Sequence, residues 1–320
     1  MKIVINQMMT VSSPPHIYGT DSIEARMRDV LIALAPALIM AIIHYGMQAF
    51  YTTAITVISA MIAEYLYQRI MGKAVTLYDC SAVITGVLLA FNLPPDVPLW
   101  LPIIGSFFAI IVVKQLFGGL GSNFVNPALA ARAFLLASFG THMTNWTFAP
   151  DSVTSATYLA IVKQNPSFSP EMSDYMALLF GKVGGCIGET SAVALFIGGV
   201  YLLIRKVINW RIPVFYIGSF ALFGFIFGRT GFFSGNILFE VLNGGLIMGA
   251  FFMATDYATS PITPNGKIVM GIGCGILAVF IRYFSDYPEG VSYSIIIMNL
   301  FVPLIDKYVR PRVYGKRKKT

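Results

Sequence analysis

Residues 84–100, ITGVLLAFNLPPDVPLW, combine a short apolar run that contains Gly86 with a polar loop broken by prolines. Residues 246–263, LIMGAFFMATDYATSPIT, repeat this order around Gly249, 163 positions further along the chain. Each stretch is followed by a longer apolar segment. Paired short, glycine-interrupted segments in matching positions of two halves are typical of an internal repeat in a membrane protein.

The composition supports a membrane protein. Of 320 residues, 56% are hydrophobic and only 12% are charged, with a mean hydropathy of +0.72. Soluble domains carry about 25% charged residues, so the chain is predicted to be an all-α polytopic membrane protein. Most of its apolar segments can cross roughly 30 Å of hydrocarbon as a helix. In all, ten apolar segments can be marked, at about 29–46, 49–68, 80–93, 98–117, 124–140, 187–204, 212–228, 236–254, 267–284 and 291–309.

The segments divide into five before and five after a polar stretch. Because five is odd, the second set is expected to enter the membrane upside down, which gives two inverted five-helix repeats with an extracytoplasmic insert between them. The paired short segments indicate a buried binding site or an ion path, or alternatively only a way of packing the halves. The predicted regions are a cytoplasmic N-terminal arm (1–28), the first repeat (29–140), the insert (141–186), the second repeat (187–309) and a basic tail (310–320).

The distribution of Lys and Arg predicts the orientation. Most of the 22 basic residues fall in the arm, in the tail and in the loops on the same side, so both termini are expected in the cytoplasm. The net charge of +7 is concentrated in the tail, which suits contact with anionic lipid, and no nucleic-acid partner is expected. Cys80, Cys186 and Cys274 lack ligand spacing, so no metal site is predicted.

The insert contains the heptapeptide DSVTSAT, residues 151–157, just before the helix-like run SATYLAIVK. One interpretation is an ordinary helix start, with Asp151 or Thr154 as the N-cap. The other is that the start of the helix holds a phosphate, since free N–H groups there favour an anion, and that a threonine hydroxyl is esterified to it. Spacing alone favours the first interpretation.

The heptapeptide resembles the flavin-attachment motif of a family of membrane redox subunits. This family comprises the D subunit of the Rnf ferredoxin:NAD+ oxidoreductase and the B subunit of the sodium-translocating NADH:quinone oxidoreductase. Four further stretches resemble the same family in the same order: SSPP (12–15), LYDCSAVITGVLLAFNLPPDVPLW (77–100), KQLFGGLGSNFVNPALAARAF (114–134) and TDYATSP (255–261). The chain length is closer to that of the D subunit.

The resemblance implies that Thr157 carries FMN through a phosphoester bond made by a flavin transferase, with Asp151, Thr154, Ser155 and Ala156 completing the motif. Ser155 stands where the family commonly has glycine. The resemblance also implies a one-electron relay within a translocase, not catalysis by this chain alone. The expected partners are the A, B, C, E and G subunits of the Rnf complex, and the expected location is the cytoplasmic membrane of a bacterium or archaeon. Whether sodium or protons move is left open.

A second, non-covalent flavin, riboflavin, occurs in the relative, and the broken segments are its expected location if it is present here. Three residues of the third resembling stretch are candidates for flavin binding: Asn123, Asn126 and Arg132. An arginine within a span costs about 2.5–3.5 kcal/mol at the helix centre. Arg132 therefore either has a buried partner or snorkels, or serves as a cation for a flavin or an ion path.

Other polar residues have simpler interpretations. Glu64 and Glu240 lie near the ends of spans and are expected to be solvated at the membrane interface. Asp79 and Asp256 flank the short segments and are expected to cap or pair, or to coordinate an ion with freed backbone carbonyls.

Two other functions remain open at the level of sequence. A channel or transporter for a small polar solute would use the same inverted halves without a flavin. A structural scaffold for other subunits would tolerate replacement of Thr157 without loss of electron transfer.

Overall fold

The computed structural model describes residues 22–144, 147–148, 153–154, 157–165, 168, 170–181, 183–228, 231–233, 235–285 and 290–310. Within these residues the regular secondary structure is helical apart from one pair of two-residue strands. Asp151, Ser155 and Ala156 of the heptapeptide lie outside the described residues, as do most of the predicted arm and tail.

The first part of the chain, up to the strands, contains six helices. They are α1 (Ile23–Tyr45), α2 (Met47–Ile70), α3 (Ser81–Phe91), α4 (Trp100–Phe107, continued by a π-helix at Phe108–Gln115), α5 (Pro127–Ser138) and α6 (Gly140–Met143). The strands β1 (Thr147–Phe148) and β2 (Val153–Thr154) pair antiparallel, with Thr147 opposite Thr154.

The remaining helices follow the strands. They are α7 (Tyr158–Gln164), α8 (Met172–Phe180), α9 (Ala192–Ile204), α10 (Arg211–Ile226), α11 (Ile237–Leu242), α12 (Leu246–Met248, continued by a π-helix at Gly249–Met253), α13 (Pro264–Phe284) and α14 (Val291–Tyr308). Short 3-10 turns at Leu77–Asp79 and Ile187–Glu189 precede α3 and α9.

Four of the described helices, α1, α2, α13 and α14, are long and apolar enough to cross a membrane. Helices α3, α4, α5, α9 and α10 are apolar but shorter. The prediction of an all-helical membrane protein is confirmed, whereas the layout of ten spans in two inverted repeats stays a prediction. Helix α1 begins at Ile23, within the predicted arm, because the Ser22 hydroxyl accepts from Ala25 N at 3.1 Å and caps it.

The two short segments found in the sequence lie at the centre of the molecule. Nearly every residue of α3 and of the stretch 246–253 is buried. Each segment follows a residue in the left-handed conformation, Cys80 with φ +57° and Gly245 with φ +66°. These turns let a helix start abruptly inside the protein, where the neighbouring helices satisfy the interrupted backbone.

The halves interlock through close approaches of helices. A methyl group added at Gly198 in α9 would overlap the carbonyl oxygen of Ala33 in α1. A methyl group at Gly188 would lie 2.5 Å from Phe91 Cβ in α3 and 2.7 Å from Met248 Sδ in α12. Small residues at these points allow backbones to pack closely, as is common between membrane helices.

Candidate functional site

Thr157 is the N-cap of α7. Its backbone is extended (φ −62°, ψ 151°) and its Oγ1 accepts a hydrogen bond from Ala160 N at 3.3 Å. The residue is buried, with 8% of its surface exposed. The expected caps, Asp151 or Thr154, were therefore wrong: Thr154 belongs to β2, and the chain turns into the helix three residues later.

Helix α7 packs against the second half of the chain. Val162 joins Leu178 and Phe239 in a buried apolar cluster, and the Tyr158 ring meets Phe239 edge to face at 5.7 Å. Lys163 Nζ donates to the carbonyl oxygen of Ser285, at the end of α13, at 2.9 Å. The position of Thr157 is thus set by residues roughly 80–130 positions away in sequence, since only tertiary packing orders so short a helix.

Tyr158 also ties α7 to α8. Tyr158 Oη donates to Asp174 Oδ1 at 2.8 Å. Burial, reinforced by this hydrogen bond to a carboxylate, raises the pKa of Tyr158 to about 12.

A cavity lies where the two short segments meet α1, α5 and α9. Its volume is about 80 Å³, within an open hollow of about 730 Å³ that includes solvent space. The lining is mainly apolar and includes the π-helical residues Phe251 and Phe252. Its polar groups come from Ser81, Thr85, Lys114, Asn123, Asn126, Thr255, Asp256 and Tyr257. A mainly apolar lining with a few polar groups is typical of a small-molecule site.

The two candidate asparagines line this cavity. Asn126 caps α5, since its Oδ1 accepts from Ala128 N at 3.0 Å and from Leu129 N at 3.3 Å. Asn126 Nδ2 donates to the Met253 carbonyl oxygen at 3.3 Å. Asn123 Oδ1 is buried and has no hydrogen-bond partner among the described residues. A buried acceptor left unpaired is unfavourable, so a ligand that donates a hydrogen bond would stabilise this position.

Lys114 forms the charged wall of the cavity. Its Nζ contacts Glu64 Oε1 at 2.8 Å, Glu64 Oε2 at 3.1 Å and Ser81 Oγ at 2.6 Å. Gln115 Nε2 also donates to Glu64 Oε1, at 2.6 Å. The lysine and the glutamate are almost fully buried. The sequence did not single out Lys114 or Ser81 as site residues, although a lysine within an apolar segment is itself a signal of a buried partner.

Glu64 and Glu240 are not solvated at the membrane interface as expected. Both are buried, and each forms an ion pair with a cation of its own half, Glu64 with Lys114 and Glu240 with Arg282. The expectation was wrong because position near the end of an apolar run says nothing about which neighbouring helices cover that end.

Arg132 does not line the cavity. Its Nη1 donates to Asn92 Oδ1 at 2.8 Å and to Ser292 Oγ at 3.2 Å, and its Nη2 lies 3.5 Å from Cys186 Sγ. These contacts agree with one of the alternatives for Arg132, namely that it has buried hydrogen-bond partners. The structure therefore brings Asn123 and Asn126 together, and places Arg132 and Thr157 elsewhere.

The aspartates beside the short segments act mainly as local caps. Asp79 Oδ1 accepts from Ser81 N at 2.8 Å and from Ser81 Oγ at 2.6 Å. Asp256 Oδ1 accepts from Ala258 N at 3.4 Å. Since Ser81 also contacts Lys114, the Asp79 cap helps to fix the charged wall of the cavity.

Comparison with known proteins assigns the family. The model of the NQR2, RnfD, RnfE family matches residues 10–315, nearly the whole chain. The chain belongs to this family. It is 49% identical over 313 residues to the D subunit of the Na(+)-translocating ferredoxin:NAD(+) oxidoreductase complex of Acetobacterium woodii, covering 97% of this chain and 96% of the relative. It is 41% identical over 322 residues to the D subunit of the proton-translocating ferredoxin:NAD(+) oxidoreductase complex of Clostridium ljungdahlii, covering 97% of each.

The relatives confirm the resemblance to the D subunit of the Rnf complex. A third relative, the D subunit of the ion-translocating oxidoreductase complex of Halorhodospira halophila, is 35% identical over 345 residues, covering 97% of this chain and 96% of the relative. All three relatives are named as subunits of a complex. The first two names differ in the transported ion, so the family assignment by itself leaves the choice between sodium and protons open.

Proposed function

We propose that this chain is the membrane electron-transfer D subunit of an ion-translocating ferredoxin:NAD+ oxidoreductase complex, and that Thr157 carries covalently bound FMN. The proposal rests chiefly on one observation: the heptapeptide DSVTSAT ends at Thr157, which caps a short helix anchored to the far half of the chain. The names of the relatives support the complex. The electron-transfer role and the flavin come from the motif.

The Thr157 hydroxyl fits a phosphoester. Its oxygen serves as an acceptor for Ala160 N, and esterification would replace the hydroxyl hydrogen while leaving a lone pair for that bond. A bound FMN would supply one-electron transfer, and a covalent bond would keep it in place through each redox cycle. The contribution of the chain is to hold the ester oxygen at a fixed position.

The cavity is the proposed site for a non-covalent riboflavin. The flat ring of a flavin suits a mainly apolar site with phenylalanine side chains, and the unpaired Asn123 Oδ1 offers an acceptor for a ring N–H. Lys114 would place a positive charge beside the ring, where electron density increases on reduction. Asn126 would act mainly through its cap on α5.

We also propose the inverted layout of ten spans, with both termini in the cytoplasm and the insert outside. Two pairs of matching features support it. A left-handed residue precedes each short segment, at Cys80 and at Gly245. Among the described residues, each half also holds a buried glutamate–cation pair near the start of its short segment, as expected of related halves. The other expected partners are the A, B, C, E and G subunits of the Rnf complex, a flavin transferase for maturation, and membrane lipid.

The attachment is tested with Thr157→Val and, as a matched control, Thr144→Val, an exposed threonine outside the heptapeptide. Each chain is purified from cells that contain the transferase, run on a denaturing gel and examined for flavin fluorescence under ultraviolet light. We expect fluorescence in the wild type and in Thr144→Val, and none in Thr157→Val. Mass spectrometry of the peptide around Thr157 should show the added mass of FMN.

Two outcomes would contradict the covalent attachment. Equal fluorescence in Thr157→Val would move the flavin to another residue. A dark wild-type band from cells with an active transferase would favour a channel or transporter that uses the same cavity for a polar solute.

The riboflavin site is tested separately with Asn123→Leu. Denaturing the purified wild type should release riboflavin, measured by chromatography, whereas Asn123→Leu should release at least about tenfold less, as expected for loss of a buried hydrogen bond. The two sites control for each other: Asn123→Leu should keep FMN, and Thr157→Val should keep riboflavin. Unchanged riboflavin in Asn123→Leu would exclude this cavity as the site.

A further inference from the structure

Arg282 is a buried arginine close to α7, the helix that Thr157 caps. The Arg282 side chain, in the last turn of α13, has no exposed surface. Its Nη1 donates to the Glu240 carbonyl oxygen at 2.7 Å and to Glu240 Oε2 at 3.0 Å. Its Nη2 donates to the carbonyl oxygens of Asn243 at 3.2 Å and Gly244 at 3.4 Å. One guanidinium therefore fixes the whole turn between α11 and α12.

This turn depends on the arginine for its shape. Gly244 and Gly245 both adopt left-handed φ values, +70° and +66°, and consecutive glycines leave the backbone unusually free. Three buried carbonyl oxygens of the segment 240–244 receive their hydrogen bonds from Arg282. Without the guanidinium each of these acceptors would lose a charge-assisted hydrogen bond, and the turn would be less well defined.

The same turn supports α7. A methyl group added at Gly244 would overlap Leu159 Cδ1 and would lie 2.7 Å from Arg282 Nη2. Gly244 therefore lies against both Leu159 and the guanidinium, and Leu159 is two residues from Thr157. The other end of α7 is held by Lys163, whose Nζ donates to Ser285 O, three residues beyond Arg282. The end of α13 thus fixes both ends of α7.

We propose that Arg282 is a positioning residue for the flavin: through the turn at Gly244 it sets the position of Thr157 for FMN attachment and holds the attached flavin in place. The inference rests on the proposed function. The hydrogen bonds of Arg282 go to residues 240–244 and not to the Thr157 hydroxyl. Arg282 acts through Leu159 and the backbone of the turn.

The test compares Arg282→Met, Arg282→Lys and the paired variant Glu240→Gln/Arg282→Met, made in cells that contain the transferase. The paired variant leaves no unpaired buried carboxylate, so it keeps the fold testable if the single variant is unstable. Flavin fluorescence per chain is measured on denaturing gels. The fluorescence anisotropy of the attached flavin is then measured on the natively purified chain, because it reports how firmly the flavin is held.

We expect roughly tenfold less flavin per chain in Arg282→Met and in the paired variant, the ratio that loss of one charge-assisted hydrogen bond produces. The flavin that is still attached should show lower anisotropy. Arg282→Lys should recover part of both signals, because an ammonium supplies the charge but cannot span the carbonyl oxygens as a planar guanidinium does.

Two controls separate positioning from general loss of stability. Gly198→Ala also disturbs a buried contact, but between α1 and α9, and should keep the wild-type amount of attached FMN. Gly244→Ala should lower attachment with Arg282 intact, whereas Gly72→Ala should not, since Gly72 has a similar φ of +63° but no neighbour within 4 Å.

Wild-type flavin content and anisotropy in both Arg282→Met and the paired variant would overturn the inference. So would an equal loss of attached flavin in Gly198→Ala, which would indicate a general effect of lost stability. These results differ from failure of the proposed function, in which the wild-type chain itself would carry no flavin.

Discussion

Replacement of Lys114 by methionine should destabilise the chain strongly, because it leaves Glu64 charged and buried. The nearest oxygen of Glu64 lies 2.8 Å from Lys114 Nζ. At that separation two unit charges attract by about 6 kcal/mol for an effective dielectric constant of about 20. The cost of removing both groups from water offsets much of this attraction, but removal of one partner alone costs about 3–5 kcal/mol.

The paired variant Glu64→Gln/Lys114→Met should be far more stable than either single variant. It removes both charges at once, and a glutamine at position 64 can still pair with Gln115, whose Nε2 lies 2.6 Å from Glu64 Oε1. Replacement of a buried ion pair by neutral groups is often close to neutral. The signature of the pair is thus a large non-additive term in the double-mutant cycle.

The assay is thermal unfolding, in one detergent, of the wild type, Glu64→Gln, Lys114→Met and the paired variant. In domains of roughly 150–250 residues each kcal/mol shifts the midpoint by about 2–4 °C, so Lys114→Met should unfold on the order of 10 °C lower. Arg205→Met is a useful control: Arg205 pairs with Asp29 at 3.2 Å but is more than half exposed. Because Arg205 is exposed and Asp29 keeps its hydrogen bond from Tyr201 Oη at 3.0 Å, this variant should cost less than Lys114→Met. Equal midpoints for Lys114→Met and the wild type, or a double variant as unstable as the single ones, would refute this reasoning.

Two further predictions concern packing and pH. Gly198→Ala should lower the unfolding temperature, because its methyl group would overlap Ala33 O. In the control Gly218→Ala the added methyl group meets no atom within 4 Å and should stabilise α10 by up to about 1 kcal/mol. Equal shifts of the unfolding temperature in the two variants would count against the α1–α9 contact. Because the pKa of Tyr158 is raised from 10.0 to about 12, its stabilising contact is complete below pH 10 and is lost as the pH rises towards 12. Tyr158→Phe should remove this component from the pH dependence of unfolding, and an unchanged alkaline profile would contradict the Asp174 contact.

Much of the fold and the family could be predicted from the sequence. Long apolar runs with little charge partition into a bilayer as helices whatever their neighbours are, because every backbone group must then be satisfied within the segment. The two short segments were also found by pattern, whereas the candidates Asn123 and Asn126 came from the stretch that resembles the family. Thr157 was found by resemblance, since its spacing alone favoured an ordinary helix start.

The buried charges could not be predicted in the same way. Glu64 was expected at the membrane interface, yet it pairs with Lys114, 50 positions away in sequence. The start of α7 also differs from expectation, because the segment before it pairs as a strand and the helix is short enough for tertiary contacts to decide its first residue. Local patterns carry no information about which distant helix covers a given face.

The sequence by itself determined that the chain lies in a membrane as helices and that it belongs to the NQR2, RnfD, RnfE family, because hydropathy and local motifs are properties of contiguous residues. Only the tertiary structure decided that Asn123 faces a cavity, that each half buries one ion pair, and that Arg282 lies beneath the helix of Thr157. These features join residues far apart along the chain, and they exist only once the helices have packed.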